Sequence, residues 1–211
     1  LGDVYKRQFI TGATSGIGRA TAEILADNYR LILCGRREER LDEVKKELEH
    51  KTEITTLQFD VRDRKSVFKA LDHLDKNWQT IDVLVNNAGN AHGLSTFDEA
   101  DQDDLEAMID INIKGLIFVT KAVLPFLKES KNAHIVNLSS IAGKEVYPLG
   151  ATYCASKAAV ESLSKGMRYD LLPYGIKVSN VAPGAVETEF SLVRFKGDVE
   201  PVSYTHLTLP T

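Results

Sequence analysis

Tyr153 and Lys157 stand four residues apart in the run Tyr153-Cys154-Ala155-Ser156-Lys157. On a helix that spacing puts both side chains on one face. A free phenol loses its proton at a pH of about 10, too high for an efficient acid or base at neutrality. A cation one turn away stabilises phenolate and lowers that value. The pair therefore reads as a proton donor with its tuning charge. Ser140 closes an apolar run upstream of Tyr153, and its hydroxyl is suited to hold a substrate oxygen beside the phenol. Asn112 lies in Ile111-Asn112-Ile113-Lys114-Gly115, within a helical stretch where Asn is a poor former. A kink there, or a water held by its amide, would account for its presence.

A second group of residues reads as a cradle for a dinucleotide. Thr11-Gly12-Ala13-Thr14-Ser15-Gly16-Ile17-Gly18 follows an apolar strand and opens a helix. Glycines there let the backbone approach a pyrophosphate, and the helix start offers free N–H groups to it. The end of the second strand carries no acid that would bind a ribose diol; it reads Gly35-Arg36-Arg37. Two guanidinium groups suit a 2′-phosphate. An uninvolved pair would oppose the dipole of the helix that follows, so NADP is expected rather than NAD. Asn86-Asn87-Ala88-Gly89 ends another strand in small residues that can admit the cofactor, and Pro183-Gly184 with Thr188 is placed to dock the nicotinamide carboxamide.

These groups need strands ending at a shared crevice. Apolar runs at Leu31–Cys34, Ile54–Phe59, Val83–Val85, Ile135–Leu138 and Ile176–Val178 each end in small or polar residues. That is the pattern of parallel strands whose C-terminal ends open onto a ligand. Amphipathic helices are expected between them: Gly18–Asn28, Glu38–His50, Asp63–Asn77, Asp104–Glu129 and Tyr153–Leu172. The fourth should break or bend near Gly115 and Pro125. Leu41, Val44 and Leu48 form one buried stripe; Val67, Ala70, Leu71 and Leu74 form another. The architecture implied is α/β: a single Rossmann-type, doubly wound parallel sheet with helices on both faces.

The 211 residues suit one domain. Hydrophobic residues at 43% and charged residues at 27% are ordinary for a globular chain. A net charge of −4 offers no bulk attraction to nucleic acid or anionic membrane, and no apolar run reaches the roughly 18 residues of a span. Two cysteines without a C-x-x-C fit a reducing cytoplasm, and the five scattered histidines give no metal-ligand spacing. Residues 1–8 and 202–211 resemble translated sequencing-adapter peptides. At the start only Phe9 and Ile10 keep core character, while Lys6, Arg7 and Gln8 occupy positions a buried strand should fill with apolar residues. The domain is therefore expected over 9–200, C-terminally truncated, with non-native ends.

Taken in order, TGATSGIG, NNAG, the Asn of INIKG, the Ser of NLSS, YCASK and PGAVET resemble the short-chain dehydrogenase/reductase family across nearly all of residues 9–190. The resemblance implies Tyr153 as general acid/base, with Lys157 lowering its pKa and holding the nicotinamide ribose. It implies Ser140 as the group that positions substrate and Asn112 as support for a proton relay through water. Gly12, Thr14, Ser15, Gly16, Ile17, Gly18, Asp60, Val61, Asn87, Ala88, Gly89, Pro183, Gly184, Val186 and Thr188 would line the cofactor. Homodimers or homotetramers are implied as well. The segment EFSLVRFKGD, with GRREERL, is similar to the NADP-dependent serine and 3-hydroxy acid dehydrogenase branch, which implies a small 3-hydroxy acid substrate. Arg194 or Lys196 could then meet its carboxylate. The competing expectations are a 3-oxoacyl-carrier-protein or general carbonyl reductase and, from another class, a non-catalytic NADP-binding sensor or scaffold.

Overall fold

The computed structural model describes residues 6–186, 188–190 and 194–196. Residues 1–5 and 202–211, assigned above to non-native ends, lie outside the described residues, as do 197–200 of the expected domain. Six strands form one parallel sheet: β1 (Arg7–Thr11), β2 (Arg30–Gly35), β3 (Ile54–Gln58), β4 (Val83–Asn86), β5 (His134–Leu138) and β6 (Lys177–Val181). Their spatial order is β3-β2-β1-β4-β5-β6. The order reverses between β1 and β4, and a crevice opens at the strand C-termini there.

Neighbouring residues on a strand face opposite sides, so two cores form. Phe9, Ile32, Leu84 and Ile135 face one side, where they meet Val67, Leu71, Val119, Val123 and Leu127 of α3 (Arg64–Asp72) and α5 (Leu116–Lys128). Ile10, Leu31, Leu33 and Val85 face the other and meet Ala22 of α1 (Gly16–Leu25) and Leu41, Val44 and Leu48 of α2 (Glu38–Leu48). Both predicted stripes are thus buried on opposite faces. No helix among the described residues is long and apolar enough to cross a membrane.

β1 starts earlier than the sequence suggests. Gln8 is buried and pairs with Leu31 on one side and Val83 on the other. Arg7 is satisfied at the strand's edge: its N–H donates to Asp82 at 2.8 Å and its Nε to the Asn77 carbonyl at 2.8 Å. The expected helix over 63–77 ends at Asp72, and Lys76–Trp78 forms a separate 3-10 turn.

The long helix expected over 104–129 is three pieces: α4 (Gln102–Ile109), a π-helical turn (Asp110–Gly115) and α5. The break falls at Asn112 and ends at Gly115, while Pro125 lies inside α5 without ending it. Helix α6 (Ala151–Asp170) carries Tyr153 and Lys157 in its first two turns.

Candidate active site

A small third core lies above the C-terminal ends of β4 and β5. Ala91, Met108, Ala142, Tyr153 and Cys154 form it, with Leu105, Tyr147 and Phe190 packed against them. Tyr153 is therefore held by apolar neighbours from α4, α6 and the loop after β6. Its ring meets the Phe190 ring at 5.8 Å between centroids.

Ser140 caps a short 3-10 turn (Ile141–Gly143), where its hydroxyl accepts from the Ala142 N–H at 3.2 Å. The same side chain lies beside Tyr153 and draws its pKa down. Burial pushes the phenol up to about 12; Ser140 and the Arg194 charge pull it back only in part.

Lys157 sits with its Nζ 5.9 Å from the Tyr153 ring centroid and donates to the Leu138 carbonyl at 3.0 Å. It is buried, and burial lowers its pKa to about 8. The ammonium points to a strand carbonyl, and removal from water raises the phenol by more than any neighbouring charge lowers it.

Asn112 is buried, and its amide reaches out of the π turn rather than along the helix. Nδ2 donates to the Asn90 carbonyl at 2.8 Å and to Ser156 Oγ at 2.9 Å; Oδ1 accepts from the Asn90 N–H at 2.9 Å. Both amide hydrogens thus bind protein groups, and a water held by them is replaced by a clamp on the chain after β4. Gly89 faces Asn112 Oδ1 and Lys157 Nζ, so these elements converge on one point.

The glycine turn has the shape of an anion cradle. Gly12 takes a left-handed φ of 64°, and a side chain on Gly18 would collide with the Gly12 carbonyl and the Asn87 amide. Asn87 pins the turn by donating from Nδ2 to the Thr11 carbonyl at 2.8 Å and the Gly12 carbonyl at 3.2 Å. The backbone N–H of Ala88 donates to Thr11 Oγ1 at 2.9 Å. Ser15 caps α1 without a side-chain bond, and no acid occupies that helix's first turn with Gly16, Ile17 and Gly18. The N–H groups there remain suited to a pyrophosphate.

At the end of β2, Arg37 reaches Thr14 Oγ1 at 3.4 Å and Glu189 at 3.9 Å, and Arg40 holds Glu189 in two bonds of 3.0 and 2.8 Å. Partial burial first, then the Arg40 and Arg36 charges, lower the Arg37 pKa, with Glu189 opposing. Arg36 lies 3.8 Å from Asp60, whose carboxylate Arg62 also grips at 2.7 Å. Val61 packs on Gly115 of the π turn.

Thr188 lies against Gly16, and the Pro183 carbonyl accepts from the Ile141 N–H at 3.0 Å. Gly184 approaches Ile141, and Val186 is half exposed. The predicted residues after β6 therefore cross the crevice from the glycine turn to the Ser140 turn.

Arg194 closes the far side. Its Nε donates to the Gly93 carbonyl at 2.9 Å, and the Gly93 N–H donates to its carbonyl at 2.9 Å. The guanidinium lies 5.7 Å from the Tyr147 ring and 5.8 Å from the Tyr153 ring. Lys196 takes a different course and pairs with Asp104 at 3.1 Å.

The sequence reading missed several positioning groups. Asn86 Nδ2 bonds Thr120 and Asn137, each at 2.9 Å, and Asn137 Nδ2 bonds Ser164 at 2.9 Å. This buried network ties β4 and β5 to α5 and α6. Asn90, His92, Tyr147 and Phe190 also border the site; only Asn90 and His92 carried a signal, as polar residues directly after the NNAG run.

A sequence model of the short chain dehydrogenase family matches residues 6–197. The chain is 49% identical to sulfoacetaldehyde reductase 2 of Chromohalobacter salexigens over 191 residues, 90% of this chain and 76% of that protein. It is 44% identical to an NADP-dependent 3-hydroxy acid dehydrogenase of Escherichia coli, again over 90% of this chain and 76% of the relative. Among solved structures, the closed form of a serine dehydrogenase complexed with NADP+ superposes with a TM-score of 0.90 at 41% identity, covering 97% of this chain and 82% of that one. The parallel sheet, the glycine cradle and these extended matches agree, and the chain belongs to the short-chain dehydrogenase family.

Proposed function

We propose that the protein is an NADP-dependent oxidoreductase that interconverts a hydroxyl and a carbonyl on a small substrate bearing an oxyanion, of the 3-hydroxy acid type. The observation that carries this reading is one pocket lined by the protonated Tyr153 phenol, with Ser140 beside it, and by a buried Arg194 guanidinium whose Nη2 has no hydrogen-bond partner among the described residues. Relatives named for acting on a 3-hydroxy acid and on sulfoacetaldehyde support an anionic substrate, and the serine dehydrogenase complexed with NADP+ supports the cofactor.

The cofactor supplies or accepts the hydride. The chain's own residues do the rest. The α1 N-terminus and glycine cradle would hold the pyrophosphate, Arg36 and Arg37 would hold the 2′-phosphate, and Lys157 and Asn87 would hold the nicotinamide end. In the reductive direction Tyr153 donates its proton to the substrate oxygen while Ser140 fixes that oxygen; in the oxidative direction the phenol must first lose its proton. Arg194 takes the substrate's carboxylate or sulfonate, which sets the distance from the anion to the reacting carbon. The intact proton donor favours an enzyme over a sensor or scaffold.

The deciding experiment is a steady-state panel with NADPH and NADP+ on 3-hydroxypropionate, serine, 2-hydroxyethanesulfonate and 1-propanol. Arg194→Ala should raise KM for the anionic substrates by about 100-fold, the scale for losing a charged hydrogen-bonding partner, while changing that for 1-propanol by less than about 3-fold. Equal changes on both would refute the anion assignment.

The cofactor assignment has its own test. Arg37→Ser should weaken NADPH binding about 10- to 100-fold and leave NADH within about 3-fold, because only the 2′-phosphate makes a bidentate demand on the guanidinium. Fluorescence titration of the two reduced cofactors measures it.

A further inference from the structure

Buried polar side-chain atoms nearly always find partners, so those that do not mark ligand sites or strain. Five such atoms lack a hydrogen bond among the described residues: Arg30 Nε, Asn86 Oδ1, Asn90 Oδ1, His92 Nδ1 and Arg194 Nη2. Three of the five belong to one locus, because Gly93 links the chain after β4 to Arg194: its N–H donates to the Arg194 carbonyl and its carbonyl accepts from Arg194 Nε. His92 and Arg194 line the same pocket with Tyr153, Met108 and Asp104.

The state of the His92 ring follows from its neighbour. Asn90 Nδ2 lies 2.9 Å from His92 Nε2. With the Asn90 amide oriented so that Nδ2 faces the ring, Nε2 accepts and the ring proton resides on Nδ1. The Asp104 carboxylate is 3.9 Å from Nδ1, beyond hydrogen-bond reach, and is engaged by Lys196 at 3.1 Å. Burial, only partly offset by Asp104 and reinforced by Lys196, Arg36 and Arg62, holds the imidazole below its ordinary pKa. At pH 7 it therefore meets the pocket as a neutral N–H donor rather than as a second cation.

We propose that His92 is a specificity-determining residue: its Nδ1–H, together with Arg194 Nη2, donates to the oxyanion head group of the substrate. The inference rests on the anionic-substrate reading above and adds a second donor to it. Two donors converging from different segments suit a head group with two or three equivalent oxygens, a carboxylate or a sulfonate. Both nitrogens are buried from solvent. Asn90 is the positioning residue, since its amide sets which ring nitrogen carries the proton and Asn112 anchors its backbone at 2.8 and 2.9 Å.

The test measures binding and turnover separately. Propionate and ethanesulfonate, which carry the head group but no reacting oxygen, are titrated calorimetrically into the protein saturated with NADP+. His92→Phe should weaken both about 10-fold, and His92→Gln, which keeps a donor, should recover binding to within about 3-fold of wild type. The ratio of kcat/KM for 3-hydroxypropionate over that for 1-propanol should fall about 10-fold in His92→Phe and recover in His92→Gln. Wild-type binding of the anions that His92→Phe leaves unchanged would overturn this inference while the Arg194 assignment stood. Failure of Gln to rescue would assign His92 a packing role and overturn it too. Wild-type protein that turns over 1-propanol with NADP+ yet binds neither anion would sink the anionic-substrate reading itself.

Discussion

Tyr153→Phe is expected to lower kcat by on the order of 10³-fold in both directions while leaving NADPH affinity within about 3-fold. The substitution removes one oxygen and nothing else. The ring is buried in the small core with Met108, Ala142 and Cys154 and meets Phe190 at a tilt of 57°, and a phenyl ring fills the same space. What is lost is the proton donor, whose loss is worth about 10²- to 10⁴-fold. The pH profile gives an independent reading. With the phenol pushed up to about 12, carbonyl reduction finds its acid protonated throughout the neutral range. Alcohol oxidation needs the phenolate and should accelerate as pH rises from 7 towards 10. Single-turnover rates in each direction, followed by nicotinamide absorbance, check both. A Tyr153→Phe variant retaining a tenth of wild-type kcat would remove Tyr153 from the proton-transfer step.

Lys157→Met is expected to abolish activity and at the same time make the fold more stable. The Lys157 ammonium is buried, has a single hydrogen-bond acceptor at the Leu138 carbonyl, and has no carboxylate within ion-pair distance among the described residues. The fall of its pKa from 10.5 to about 8 corresponds to a cost of about 3 kcal/mol for keeping the charge buried. Methionine fills a similar volume without charge, at the loss of one hydrogen bond worth about 1 kcal/mol. The net gain of about 2 kcal/mol should raise Tm by roughly 4–8 °C.

The sign of the pH dependence is fixed. The folded-state pKa lies below that of the unfolded chain, so between about 8 and 10.5 the unfolded chain binds more protons and wild-type stability rises with pH. The advantage of Lys157→Met should therefore be complete below pH 8 and fade towards pH 10.5. Calorimetric melting at pH 7 and pH 10 measures it. A variant less stable than wild type at pH 7 would show that Lys157 is compensated by contacts beyond its one carbonyl.

Much of this protein is determined locally. Apolar runs that end in small or polar residues, alternating with stripes such as Leu41-Val44-Leu48, suffice for a parallel sheet with helices on both faces, because strand and helix periods are properties of neighbouring residues. The glycine turn, the Arg36-Arg37 pair and the four-residue spacing of Tyr153 and Lys157 are likewise short-range patterns. Tertiary structure decided the rest. Arg7 and Gln8 read as misplaced until Asp82 and Asn77, far along the chain, are seen to satisfy Arg7 while the sheet buries Gln8. Asn112 reads as a kink or a water site until Asn90 and Ser156 are found within reach of its amide. The acidity of Tyr153, the lowered pKa of Lys157 and the unpartnered nitrogens of Arg194 and His92 depend on which distant segments exclude water from them. Burial and hydrogen-bond satisfaction are properties of space rather than of sequence distance: Gly93, which anchors Arg194, is 101 residues away from it along the chain.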